Sequence, residues 1–201
     1  MALIDKLTAI ANAIRGKTGE SEPLTLDGMA IAINNLATGG GGSVVGSDAE
    51  KYLESCHAEV ILPNATSIKL YAFMKDNVLT NIEMPKVTSI GNSSFMNCKN
   101  LVLTSLPSGL TSLDSYAFAN DSKLAITSLP SGLTSIGDYA FAACYKLTSI
   151  TFEGKPNSIS GTAFNNCVNL TTINVPWAEG EVANAPWGAT NATINYNYTG
   201  E

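Results

Sequence analysis

The sequence predicts a mixed α/β repeat solenoid of about five 22–23-residue units, preceded by a small two-helix segment and closed by a β-type C-terminal cap. Three observations predict it. Phe73, Phe95, Phe118, Phe141 and Phe164 recur at intervals of 22, 23, 23 and 23 residues. Apolar columns hold register with them: Ile68, Ile90, Leu113, Ile136 and Ile159 before each Phe, and Leu79, Leu101, Leu124, Leu147 and Leu170 after it. Outside the repeats, Leu3, Leu7, Ile10 and Ile14 follow one stripe of an amphipathic helix.

The helical segment comes first. Gly16-Lys17-Thr18-Gly19 stops the first helix. Thr25 is placed to cap a second, with Asp27 near its positive end and Met29, Ile33 and Leu36 on its apolar stripe. Two short helices bury too little surface to stand alone, so residues 1–37 are expected to anchor the chain or to oligomerise through Leu3, Leu7, Ile10, Ile14, Met29, Ile33 and Leu36. Residues 38–57 contain Gly39-Gly40-Gly41-Gly42 and read as a linker and entry to the solenoid.

Residues 58–176 form the solenoid. A unit of this length buries no core by itself, so its apolar columns must stack on those of its neighbours. Met84, Leu106, Leu129, Phe152 and Val175 make a further inward column. The residue just before each of them, Glu83, Ser105, Ser128, Thr151 or Asn174, is polar, which is the alternation of a half-buried strand. This outward column is the candidate binding surface. Thr104 and Thr127 stand where the other units have Ile, and Leu103 and Ile126, one place earlier, are expected to take over the packing through a small bulge. Proline follows the strand at Pro85, Pro107, Pro130 and Pro176 and ends it. The stretch around each Phe, such as Gly137 to Cys144, predicts a short helical turn.

Residues 177–201 complete the chain. Thr193-Ile194-Asn195-Tyr196 alternates like a strand, and Trp177 and Trp187 are expected to cover the final rung.

Units such as Leu133-Thr134-Ser135-Ile136-Gly137-Asp138-Tyr139-Ala140-Phe141-Ala142-Ala143-Cys144-Tyr145-Lys146-Leu147-Thr148-Ser149-Ile150 resemble the BspA-type leucine-rich repeat. That resemblance implies a fold and a binding scaffold without naming a ligand. Leu3 to Gly19, Leu24 to Met29, and Pro186-Trp187-Gly188-Ala189 with Ala192-Thr193-Ile194 are similar to the ends of tail-fibre and baseplate-associated proteins of phages and prophages of Gram-positive bacteria. This second resemblance implies a non-enzymatic virion subunit, assembled in the bacterial cytoplasm. Its expected partners are other virion tail proteins, further copies of itself (a trimer, on the tail-fibre likeness) and a host-surface polysaccharide or protein. The alternative is a bacterial cell-surface BspA-like adhesin, and a glycan hydrolase is the remaining reading.

The chemistry sought beyond binding is sparse. The chain carries 11 Lys plus Arg, a net charge of −6 and only 14% charged residues. Phosphate recognition needs clustered positive charge, so no nucleic acid partner is expected. No 18-residue apolar run exists, so membrane insertion is not expected, and the N-terminus lacks the pattern of a secretory signal. His57 is the lone histidine and stands beside Cys56; a capping or surface role is expected over a Cys-His dyad, because adjacent strand residues face opposite ways. Cys98, Cys144 and Cys167 share a column with Asp76 and Asp121, three residues after each Phe, which marks a packing or turn position. Cys144 and Cys167 lie on adjacent rungs, within disulfide reach, although assembly in a cytosol favours thiols. Tyr71, Tyr116 and Tyr139 read as edge-of-core residues. No catalytic residue, metal ligand set or cofactor is expected.

Overall fold

The computed structural model describes residues 58–200. Within them the chain forms a parallel β-solenoid of about six turns. The strands are β1 (Glu59–Ile61), β2 (Ser67–Ile68), β3 (Asn81–Glu83), β4 (Ser89–Ile90), β5 (Ser112–Leu113), β6 (Ser128–Leu129), β7 (Ser135–Ile136), β8 (Ser149–Phe152), β9 (Ser158–Ile159), β10 (Thr172–Asn174) and β11 (Thr193–Asn195).

Every pairing is parallel and runs between successive turns. One side carries a five-stranded sheet in the order β2-β4-β5-β7-β9. The front carries the pair β1-β3 and, separately, a four-stranded sheet in the order β11-β10-β8-β6. Ile68, Ile90, Leu113, Ile136 and Ile159 are in register down the side sheet and buried. The threonines before these strands fix the register twice. Thr111 and Thr134 each donate both the backbone N–H and the side-chain hydroxyl to the threonine carbonyl one turn back.

The core is a set of one-residue columns. Phe73, Phe95, Phe118, Phe141 and Phe164 stack face to face with ring centroids 5.2, 5.1, 5.7 and 5.3 Å apart and planes within 7° of parallel. The turn spacing imposes this geometry, since identical residues one strand spacing apart must lie one above the other.

The mixed α/β class is overturned. Among the described residues there is no helix, and the segments around each Phe are successive turns. Tyr71, Ser93, Tyr116 and Tyr139, two before their Phe, and Lys75, Asn97, Asn120, Ala143 and Asn166, two after it, have φ between 53° and 66°. A left-handed residue every four positions prevents a helix from propagating. It turns the backbone groups along the solenoid axis instead, so that Phe95 N–H reaches Ala117 O and Asn97 N–H reaches Ala119 O one turn ahead. The two helices expected before residue 37 lie outside the described residues, as do the Gly-rich linker, Cys56 and His57.

Five expected units become about six turns because residues after Pro176 continue the coil. Phe164 N–H bonds to Trp187 O (2.8 Å), and β11 pairs in register with β10. Trp187 is fully buried and packs with Trp177 and Phe152 at 6.3 and 5.8 Å.

Candidate functional site

The polar front column is not uniform. Glu83 and Ser105 are exposed, Ser128 and Thr151 are half-buried, and Asn174 is buried. Three of these residues are bonded within the fold. Ser128 Oγ donates to Glu153 Oε1 (2.8 Å). Asn174 Nδ2 donates to Thr151 Oγ1 (3.1 Å), and Asn195 Nδ2 donates to Asn174 Oδ1 (2.8 Å), a ladder across three turns. Glu83 and Ser105 have no side-chain partner among the described residues, and both line a cavity of about 370 Å³.

That cavity is a notch between β3 and residues 102–107, walled by Asn81, Ile82, Glu83, Met84, Thr104 and Ser105, with Val102, Leu103, Leu106 and two prolines completing it. The rungs that flank it differ in sequence pattern. The first, fourth and fifth units read Leu-x-x-Ile-x-apolar, whereas Leu101 to Leu106 and Leu124 to Leu129 read apolar-x-apolar-x-x-apolar. Leu103 and Ile126 are buried and take the inward place, as the bulge expectation has it, leaving Thr104 and Thr127 exposed. A regular rung, β3, therefore faces a bulged one. The front sheet breaks here, between β3 and β6. The bulge and the candidate residues Glu83 and Ser105 are legible in the sequence, but the void is not, since a bulged and a regular rung also meet at β6 and β8 and pair there.

The second chemically distinct feature is the column three residues after each Phe. Cys98, Cys144 and Cys167 are free, buried thiols. Their Sγ atoms donate to the carbonyls of Phe73, Phe118 and Phe141 at 2.9, 3.1 and 2.9 Å. Burial pushes all three thiols up, Cys167 to about 11, so none supplies a thiolate near neutral pH. Asp76 uses its carboxylate as a turn cap, accepting from Val78 N–H and Leu79 N–H at 2.8 and 2.9 Å. Asp121 does not: it is fully buried with neither carboxyl oxygen bonded, and desolvation raises it to about 9.

Tyr71 and Tyr116 are exposed and Tyr139 half-buried, and the Tyr116 and Tyr139 rings stack at 5.1 Å. Among the described residues, no group of three His, Cys, Asp or Glu side chains is placed to hold a metal ion, and no helix is long and apolar enough to cross a membrane.

The sequence matches the BspA type leucine-rich repeat region in six copies over residues 66–184, more than half of the chain. Among curated proteins, no sequence matches it. Similar solved structures include a leucine-rich repeat protein from Bacteroides ovatus ATCC 8483 (30% identity, TM-score 0.48), over 58% of this chain and 30% of that one. The leucine-rich repeat protein of T. pallidum is 24% identical with a TM-score of 0.55, over 70% of each chain. The pneumococcal vaccine antigen PcpA is 17% identical with a TM-score of 0.50, over 71% of this chain and 42% of that one. The match thus spans less than half of the Bacteroides and pneumococcal chains. The latter two likenesses concern the fold.

Proposed function

This chain belongs to the BspA-type leucine-rich repeat family, and from that premise we propose that it is a non-enzymatic recognition module of the cell-surface adhesin kind. Its solenoid presents the front strand face to a partner. The observation that carries this reading is the front column, polar at Glu83, Ser105, Ser128, Thr151 and Asn174 and exposed at Glu83 and Ser105, laid over a core built mainly of stacked apolar columns. Glu83 and Ser105 offer unbonded polar side chains one turn apart, which suits a host-surface protein or polysaccharide. The residues that would be needed for hydrolysis do not converge there: Glu83 is the single carboxylate in the notch, and glycoside hydrolysis ordinarily needs two.

A second reading, a phage tail-fibre-like or baseplate-associated subunit, is supported by the resemblance carried by Leu3 to Gly19, Leu24 to Met29 and Pro186 to Ile194. In it residues 1–37 attach the chain to other tail proteins or to further copies of itself, and the solenoid faces the host.

One experiment separates the two. Intact producing cells are treated with a protease that does not enter them, and the chain is followed in the shaved supernatant and in purified phage-like particles. Release from intact cells is the outcome the adhesin reading requires. Recovery confined to particles overturns it in favour of the second reading.

A further inference from the structure

The notch between β3 and residues 102–107 is a place where the backbone ladder stops. Leu62 N–H bonds to Glu83 O, and Asn81 N–H bonds to Ala58 O, so Asn81 and Glu83 spend their backbone groups on the turn before. The groups of Ile82 therefore point to the turn after, toward residues 102–107. The ladder begins there, with Val102 N–H on Thr80 O at 2.8 Å, and then ends. Among the described residues, no hydrogen bond joins Ile82 or the Met84 N–H to the next turn. Residues 104–106 make no backbone hydrogen bond to either neighbour. Contact between turns resumes at Thr111 N–H on Thr88 O, 2.7 Å. Thr104 and Ser105 are exposed, whereas Ile82 and Met84 are buried, so a partner for their unpaired backbone groups has to reach into the notch.

We infer that this notch is a docking slot for a short extended peptide segment carrying lysine or arginine. The inference rests on the front face being the recognition surface. The β3 wall offers the unpaired main-chain groups of Ile82 and the Met84 N–H, to which an extended peptide supplies complementary groups in the alternation of a strand, and residues 104–106 add further unpaired groups opposite. The Glu83 carboxylate stands on the rim without an ionic or hydrogen-bonded partner among the described residues, and the chain as a whole carries a net charge of −6. A basic side chain is the complement to that rim. The unpaired edge of the β3 wall runs from Ile82 to Met84, so the segment it accepts is two or three residues long at about 3.3 Å each.

The test titrates the isotope-labelled full chain with acetyl-Val-Lys-Val-amide, following backbone amide resonances. Parallel titrations use the same peptide methylated at every peptide nitrogen, acetyl-Val-Glu-Val-amide, and N-acetylglucosamine. The lysine peptide is expected to shift the amides of Ile82, Met84, Thr104 and Ser105. Methylation should weaken it about tenfold or more, as loss of main-chain bonds requires. Glu83→Gln should weaken the lysine peptide several-fold. No shift at millimolar peptide, equal binding of the methylated peptide, or notch shifts with the sugar alone each overturns the proposal. Failure of cell-surface display with these shifts intact would overturn the adhesin reading and leave the slot standing.

Discussion

The Cys144 thiol donates to the Phe118 carbonyl one turn back, 3.1 Å away, and Phe118 O also accepts Asp121 N–H at 3.3 Å. Cys98 and Cys167 repeat the arrangement on Phe73 and Phe141. The member between Cys98 and Cys144 is Asp121, and the carbonyl equivalent to the other acceptors, Phe95 O, takes only Cys98 N–H. A neutral carboxylic acid at 121 has the O–H that this column calls for, and a carboxylate does not.

Asp121 makes stability fall as pH rises. Its folded value of about 9 lies above the ordinary 3.8. Between those values the folded state holds one more proton than the unfolded state. The contribution is therefore complete below pH 3.8 and lost as pH rises through about 9, by at most about 1.4 kcal/mol per unit. Asp121→Cys should raise the denaturant midpoint at pH 8 and flatten this slope. A midpoint for the wild-type chain that rises from pH 5 to pH 8, and is unchanged in D121C, would refute the assignment.

The aromatic stack should be most sensitive in its middle. Phe118 touches Phe95 at 5.1 Å and Phe141 at 5.7 Å, whereas Phe73 has one stacked neighbour. Phe118→Ala should cost about 3–5 kcal/mol in chemical denaturation, and Phe73→Ala measurably less. Equal losses would mean that the stack adds nothing beyond burial.

Ala143 holds a φ of 55° in a column whose other members are Lys75, Asn97, Asn120 and Asn166. An L-residue with a Cβ pays about 1–2 kcal/mol for that conformation, and glycine returns about 0.5–1 of it as unfolded-chain entropy. Ala143→Gly should therefore stabilise by up to about 1 kcal/mol in equilibrium unfolding, a rare gain from deleting a buried methyl group. Gly154→Ala should do the opposite. A Cβ there would sit 2.4 Å from Ser131 O, backbone that cannot step aside, and the loss should be about 1–3 kcal/mol.

Much of this architecture is legible in the sequence because a solenoid converts sequence period directly into contact. Phe95 and Phe118 are 23 residues apart and therefore stacked, and the buried Leu103 and Ile126 are visible as apolar residues one place early. The turns are not legible. Tyr139-Ala140-Phe141-Ala142-Ala143 has the composition of a helix, yet Tyr139 and Ala143 are left-handed. Ala143 N–H reaches Asn165 O. Tertiary bonding overrides local propensity there. The notch is hidden for a related reason: Glu83 and Ser105 look like Ser128 and Thr151 in a column, yet no strand ladder joins the first two, whereas Ser128 and Thr151 pair between β6 and β8.

The closing turn gives the last prediction. Trp187 is fully buried, its Nε1 donates to Ala183 O (2.7 Å), and its ring meets Phe152 and Trp177. Each turn of a solenoid contacts only its neighbours, so removing this ring should loosen the end without melting the middle. In Trp187→Ala, amide exchange should accelerate across β11 (Thr193–Asn195), where Thr193 N–H bonds to Thr171 O, and remain slow at Phe95 and Phe118. Trp187→Phe should restore part of the protection. Uniform acceleration through every turn would show instead that the whole stack unfolds as one cooperative unit, and Trp187 would then count as core rather than as a local closure.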